Sequence, residues 1–122
     1  MSLSQVPVAA VIGHPINHSK SPQLHNFWLS KFGVNGYYVP LDIDPRNFEK
    51  HIRSLPRLGF VGANVTIPYK EKILKVADKI SDRAAIIGAA NTLTFLSDGK
   101  IYADNTDGYG FIQNIKSKYK DW

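Results

Sequence analysis

Seven side chains in this sequence have the types and spacing of a binding site: Ser19, Ser21, Asn64, Thr66, Lys70, Asn91 and Asp107. Asn64 and Thr66 lie two residues apart, so in an extended segment both point to one face. Lys70 follows after Pro68, a residue that stops a strand and suits the first turn of a helix. A cation in that turn opposes the positive end of the helix dipole, an odd choice for a merely decorative residue. Ser19 and Ser21 share the two-residue spacing, and two hydroxyls can donate to one carboxylate. Ser21 would equally cap a helix opened by Pro22, and Asp107 would equally cap a later one. Spacing alone does not separate a catalytic aspartate from a capping one. Together these hydroxyls, amides, one ammonium and one carboxylate suit a small, polyhydroxylated acid.

The elements that must position them follow from pattern. Val6 to Ile12 is an apolar run ending in Gly13, as in a strand buried on both faces. Ser21-Pro22 opens a helix with Leu24, Phe27, Trp28 and Phe32 on one side, closed by Gly33. Tyr37 to Ile43 is a second strand. Asp44-Pro45 opens a helix whose inner stripe is Phe48, Ile52 and Leu55. Phe60 to Ile67 is a third strand, and the helix expected after it buries Ile73, Val76, Ala77 and Ile80. A short helical patch spans Asp82 to Ala90. Asn91 to Leu96 and Ile101 to Asp104 flank Ser97-Asp98-Gly99-Lys100, a hairpin signal. A last helix begins after Thr106, with Phe111, Ile112 and Ile115 as its apolar positions.

This alternation predicts an α/β fold: a mainly parallel, mixed sheet with helices on both faces and a C-terminal β-hairpin, a three-layer sandwich. Ligands in open α/β sheets sit beyond the carboxyl ends of the strands. Ser19 and Ser21 follow the first strand, and Asn64, Thr66 and Lys70 end the third. Asn91 opens the hairpin, and Asp107 follows it.

Composition narrows the chemistry. The 122 residues make one modest domain, and 43% of them are apolar, enough for a core. With no cysteine, disulfides, thiolate metal sites and cysteine nucleophiles are excluded. The four histidines show no metal-binding spacing, so no metal is expected. No apolar run is long enough to span a bilayer, and no secretory signal opens the chain, so cytoplasmic location is the default. The formal charge of +5 is scattered. It forms no basic face for nucleic acid and suits the steering of a small anion. Gly108-Tyr109-Gly110 imitates a dinucleotide fingerprint, but Gln113 occupies the third glycine position. Cofactor binding at that turn is therefore not expected.

The motifs carry a resemblance. His18-Ser19-Lys20-Ser21-Pro22 with His25-Asn26 resembles the HSxSPxxHN signature of the shikimate dehydrogenase family. Gly62 to Lys70 is similar to its GxNVTxPxK signature, Gly88 to Thr92 to GAxNT, and Asn105 to Gly108 to the NTDxxG turn. Four signatures in order, over roughly residues 11 to 115, make a specific match. The resemblance implies the substrate-binding half of an NADP-dependent enzyme that reduces 3-dehydroshikimate to shikimate in the aromatic amino-acid pathway. It implies that Ser19 and Ser21 hold the substrate carboxylate, with Thr66 near that end and Asn64 supporting the pocket wall. It implies that Lys70, Asn91 and Asp107 bind ring hydroxyls, with Lys70 and Asp107 as the catalytic pair. Hydride delivered to a ketone leaves negative charge on oxygen, so a proton donor must stand beside it.

The departure from the family is one of length. Residues 1–110 are expected to be the substrate-binding domain, and residues 111–122 the start of a helix leading to an NADP(H)-binding domain. The chain is thus expected to be a piece of a longer protein that binds substrate weakly and does not turn over alone. The full-length protein would be a monomer or a homodimer. Two other readings stay open: a quinate/shikimate dehydrogenase domain, and a non-catalytic shikimate-binding module.

Overall fold

The structure, a computed structural model, describes residues 7–16, 20–31, 33 and 36–107, apart from the side chains of Ser21 and Trp28. The last helix expected from the sequence lies outside the described residues. The elements run β1 (Val8–Gly13), α1 (Ser21–Lys31), β2 (Tyr37–Asp42), α2 (Phe48–Ser54), β3 (Phe60–Val65), β4 (Lys79–Ile80), α3 (Asp82–Ile87), β5 (Thr92–Phe95) and β6 (Ile101–Asp104).

Among the described residues these strands form one mixed sheet in the order β2-β1-β3-β5-β6-β4. β1 pairs in parallel with β2 and β3, β4 pairs in parallel with β6, and β5 is antiparallel to both neighbours. The carboxyl ends of β1, β2, β3 and β6 therefore share one edge with the start of β5. Pro40 sits in β2, where the outermost position spares the sheet a lost ladder bond.

The alternation of β1 and β3 divides the core. Ala10, Ile12, Ala63 and Val65 face a cluster with Phe48, Ile52, Tyr69, Ile73 and Ala84. Val11, Ile16 and Tyr38 are buried in a second, smaller cluster, and α1 packs along β2 and β1. The Tyr69 ring stacks on Phe48 with centroids 4.2 Å apart, and its hydroxyl donates to the carbonyl of Ile43.

Three elements differ from the sequence expectation. Past Ile67-Pro68 no α-helix forms; turns lead to a 3₁₀ segment at Lys72–Lys75. Ile73 and Val76 are buried as expected, but Ile80 is drawn into β4 and left exposed, because Lys79 and Ile80 pair with Tyr102 and Ala103. Sheet pairing overrides helical spacing here. α2 starts later than Asp44, because the Asp44 carboxylate accepts the Arg46 backbone N–H at 2.8 Å and forms a turn instead. In α1, Leu24 and Phe27 are exposed. His25 and Asn26 of this helix contact Tyr38 of β2, while the Trp28 side chain and Phe32 lie outside the described residues.

Candidate functional site

The common strand edge carries a cavity of about 430 Å³ whose polar lining is Asn64, Thr66, Lys70, Asn91 and Asp107. These come from separated parts of the chain, and the backbone explains why they meet. The Val65 N–H donates to the carbonyl of Asn91 at 2.8 Å, and the Thr66 N–H to the carbonyl of Ile12 at 2.9 Å. These bonds tie the end of β3 to the start of β5 and to β1. The Ala90 N–H donates to the Lys70 carbonyl at 2.8 Å, which brings the loop before β5 against Lys70. Pro15, Ile16 and Ile67 add an apolar wall.

Lys70 Nζ donates to Asp107 Oδ2 at 2.8 Å, and Asn91 Nδ2 donates to Asp107 Oδ1 at 2.7 Å. Both carboxylate oxygens thus have a fixed donor. Asn91 is itself oriented. Its Oδ1 accepts the Thr106 N–H at 2.9 Å and the Thr92 hydroxyl at 2.9 Å, which forces the amide nitrogen toward Asp107. The loop that carries Asp107 is held by Asn105, a buried side chain. Asn105 Oδ1 accepts the Asp107 N–H at 2.9 Å, and its Nδ2 donates to the carbonyl of Ala89 at 2.9 Å.

The structure therefore brings together five of the seven side chains singled out by sequence. Ser19 and the side chain of Ser21 lie outside the described residues. Lys70 is not in the first turn of an α-helix, so the dipole contrast expected for it does not arise, and Asp107 supplies its counter-charge. Thr92, Asn105 and Thr106 also belong to the network, beyond the seven candidates. Their signal was present, because all three lie inside the motifs that carry Asn91 and Asp107.

Chemically, the cleft offers an ammonium and a carboxylate in contact, with amides and a threonine hydroxyl close by. Such a set can hold vicinal hydroxyls and move a proton at one of them. Gly13, at the turn where a nucleotide-binding sheet would cradle a pyrophosphate, is closed in: a Cβ there would stand 2.6 Å from Thr66 Cγ2 and 3.0 Å from the Ile67 carbonyl oxygen. Thr66, Ile16 and the end of β3 thus pack directly against that turn. Among the described residues, no group of three or more metal-binding side chains occurs, and no helix is long and apolar enough to cross a membrane.

Known proteins resemble this chain in sequence and fold. The chain is 57% identical over its whole length to a shikimate dehydrogenase (NADP(+)) of Roseobacter denitrificans, of which it covers 44%. Among solved structures, shikimate dehydrogenase from Aquifex aeolicus is similar over 98% of this chain and 45% of its own, with a TM-score of 0.87 and 38% identity. Shikimate 5-dehydrogenase from Thermus thermophilus, solved with NADP(H) and shikimate, matches 93% of this chain and 42% of its own, with a TM-score of 0.83 and 35% identity. The chain thus spans under half the length of these proteins. The family model described as the shikimate dehydrogenase substrate binding domain matches residues 11–93. With that match covering most of the sheet and the cleft's Asn64, Thr66, Lys70 and Asn91, the chain belongs to the shikimate dehydrogenase substrate-binding domain family.

Proposed function

We propose that this chain is the substrate-binding part of an NADP-dependent shikimate dehydrogenase, which interconverts 3-dehydroshikimate and shikimate. The contact that carries this reading is the 2.8 Å pair between Lys70 and Asp107 at the edge of a polar cavity. In this reading residues 1–110 form the substrate-binding domain, and residues 111–122 lead toward a separate NADP(H)-binding domain. The nicotinamide supplies hydride when bound; residues of this chain handle the proton and the substrate's hydroxyls.

Lys70 donates the proton to the nascent alkoxide, directly or by relay. Asp107 holds the ammonium in place and accepts from a ring hydroxyl. Asn91 keeps the Asp107 carboxylate turned into the cleft, and Thr66 and Asn64 complete its polar lining. Ser19 and Ser21 take the substrate carboxylate. The ligand is a small hydroxylated acid, with no role for nucleic acid or membrane.

The test is a shikimate titration of the 122-residue chain, followed by NMR. Shifts concentrated on Lys70, Asn91 and Asp107 are expected. An unchanged spectrum at millimolar shikimate would remove the reading.

A further inference from the structure

The His25-Asn26 end of the first motif contributes nothing to the lining of the cleft. Both residues instead grip Tyr38. Asn26 Nδ2 donates to the Tyr38 carbonyl at 2.9 Å, and Asn26 Oδ1 accepts the Tyr38 N–H at 3.1 Å. An edge strand thereby gains from a helix the paired bonds that another strand would supply. The His25 ring stacks on the Tyr38 ring with centroids 4.2 Å apart and planes 10° from parallel. Tyr38 is buried, and a buried phenol needs a partner for its hydroxyl. That partner is the Asn64 side chain: Tyr38 Oη donates to Asn64 Oδ1 at 2.7 Å.

The direction of this bond is fixed by a third group. The other end of the Asn64 amide faces the Asn91 backbone carbonyl at 3.5 Å. A carbonyl can only accept, so the nitrogen must lie on that side and the oxygen toward the phenol. The contact to Asn91 is long and weak, so the phenol is the stronger constraint. Asn64 lines the cleft, and its NH₂ hydrogens are its only donors to a ligand there.

We infer that Tyr38 is a positioning residue: its phenol, clamped by His25 and Asn26, sets the Asn64 amide so that its NH₂ group donates into the ligand cleft. Tyr38 touches no ligand itself and acts through Asn64. The ligand part of this inference rests on the proposed function; the orientation of Asn64 does not.

The experiment compares wild type with Tyr38→Phe, which removes one oxygen and keeps the ring. In the ligand-free 122-residue chain, the Asn64 side-chain NH₂ resonances should be one sharp pair in wild type. They should shift and double or broaden in Y38F, while backbone resonances distant from Tyr38 stay in place. Unaltered Asn64 amide signals in Y38F overturn the inference. Shikimate affinity should fall roughly tenfold in Y38F, the scale of one lost hydrogen bond. In an Asn64→Ala background, Y38F should change affinity less than about twofold. An equal loss in both backgrounds shows Tyr38 acting by another route and overturns the inference. If wild type fails to bind shikimate, the proposed function falls, and the Asn64 amide signature alone decides the role of Tyr38. Should Y38F not fold, Asn26→Ala, which loosens the clamp but keeps the phenol, carries the same amide test.

Discussion

Lys70 and Asp107 meet at 2.8 Å while 36% of one side chain and 56% of the other remain exposed. An ion pair so open to water is worth at most about 1 kcal/mol to the fold. The carboxylate side of the pair is nonetheless held: Asn91 fixes the second carboxylate oxygen, and Asn105 fixes the backbone of Asp107. A weakly stabilising pair whose carboxylate is fixed in this way is the arrangement that the proposed proton transfer needs.

Removing the ammonium should therefore cost turnover and leave the fold alone. In an enzyme of the proposed kind, with a nicotinamide-binding domain, Lys70→Ala should lower kcat by roughly 10³-fold, within the range for a lost proton donor. KM should change much less, and the melting temperature should stay near wild type. Steady-state kinetics would check this, and a kcat within a few-fold of wild type removes Lys70 from proton transfer.

Asn105→Ala is expected to act at a distance from the ligand. It leaves the Ala89 carbonyl without its donor and frees the Asp107 turn. A stability loss of about 1–3 kcal/mol should appear in urea unfolding. Turnover should fall further than that loss alone explains, because Asp107 loses its fixed position. Crystals of the variant with Asp107 still beside Lys70 would contradict this.

Acid should destabilise the protein partly through Asp104. Arg83 donates to both its oxygens, at 2.7 and 2.6 Å, and Ser81 adds a third bond at 2.7 Å. The Arg83 guanidinium, with Ser81, holds this carboxyl far below the usual carboxylate range. Because the folded value is depressed, the stabilisation is complete above the unfolded value near 3.9. It is lost as pH falls from there through the folded value. Asp44 adds in the same direction, its carboxyl lowered to about 2 by Arg46. Asp104→Asn should cost about 2 kcal/mol at pH 7 and clearly less at pH 2, as measured by denaturant unfolding at both values. A cost independent of pH would assign the loss to packing.

Gly13→Ala tests how tightly β1 seats the cleft wall. The added methyl would stand 2.6 Å from Thr66 Cγ2, 2.9 Å from Ile16 Cδ1 and 3.0 Å from the Ile67 carbonyl oxygen. The backbone oxygen cannot swing aside, so β1 and the end of β3 must part. A stability cost of about 1–3 kcal/mol is expected, together with weaker shikimate binding than in wild type. Calorimetry on both proteins would measure it.

Much of this was legible in the sequence for physical reasons. The strands were readable because long apolar or alternating runs bounded by turn residues have few other uses. β6 runs from Ile101 to Asp104 as expected, and the Ser97 to Lys100 turn closes its hairpin. The segment after Pro68 departs from the helix expected because Ile73, Val76 and Ala77 keep helical spacing in a stretch of turns, and the pull of β6 on Lys79 and Ile80 is not local. The meeting of Lys70 with Asp107 spans 37 positions. No spacing argument reaches so far; the rule that ligands gather beyond the strands' carboxyl ends put both residues on one edge, and the family motifs joined them as a pair. The role of Tyr38 had no local signal, since a tyrosine in a strand is ordinary.

The hairpin of β5 and β6 aims its open end at the cleft and its turn, around Asp98 and Gly99, at the far side of the sheet. That turn closes on itself: the Leu96 N–H donates to the carbonyl of Lys100, and Asp98 accepts the Lys100 N–H. A fluorophore or an affinity handle spliced between Asp98 and Gly99 would accordingly report on this protein from a position insulated from its chemistry.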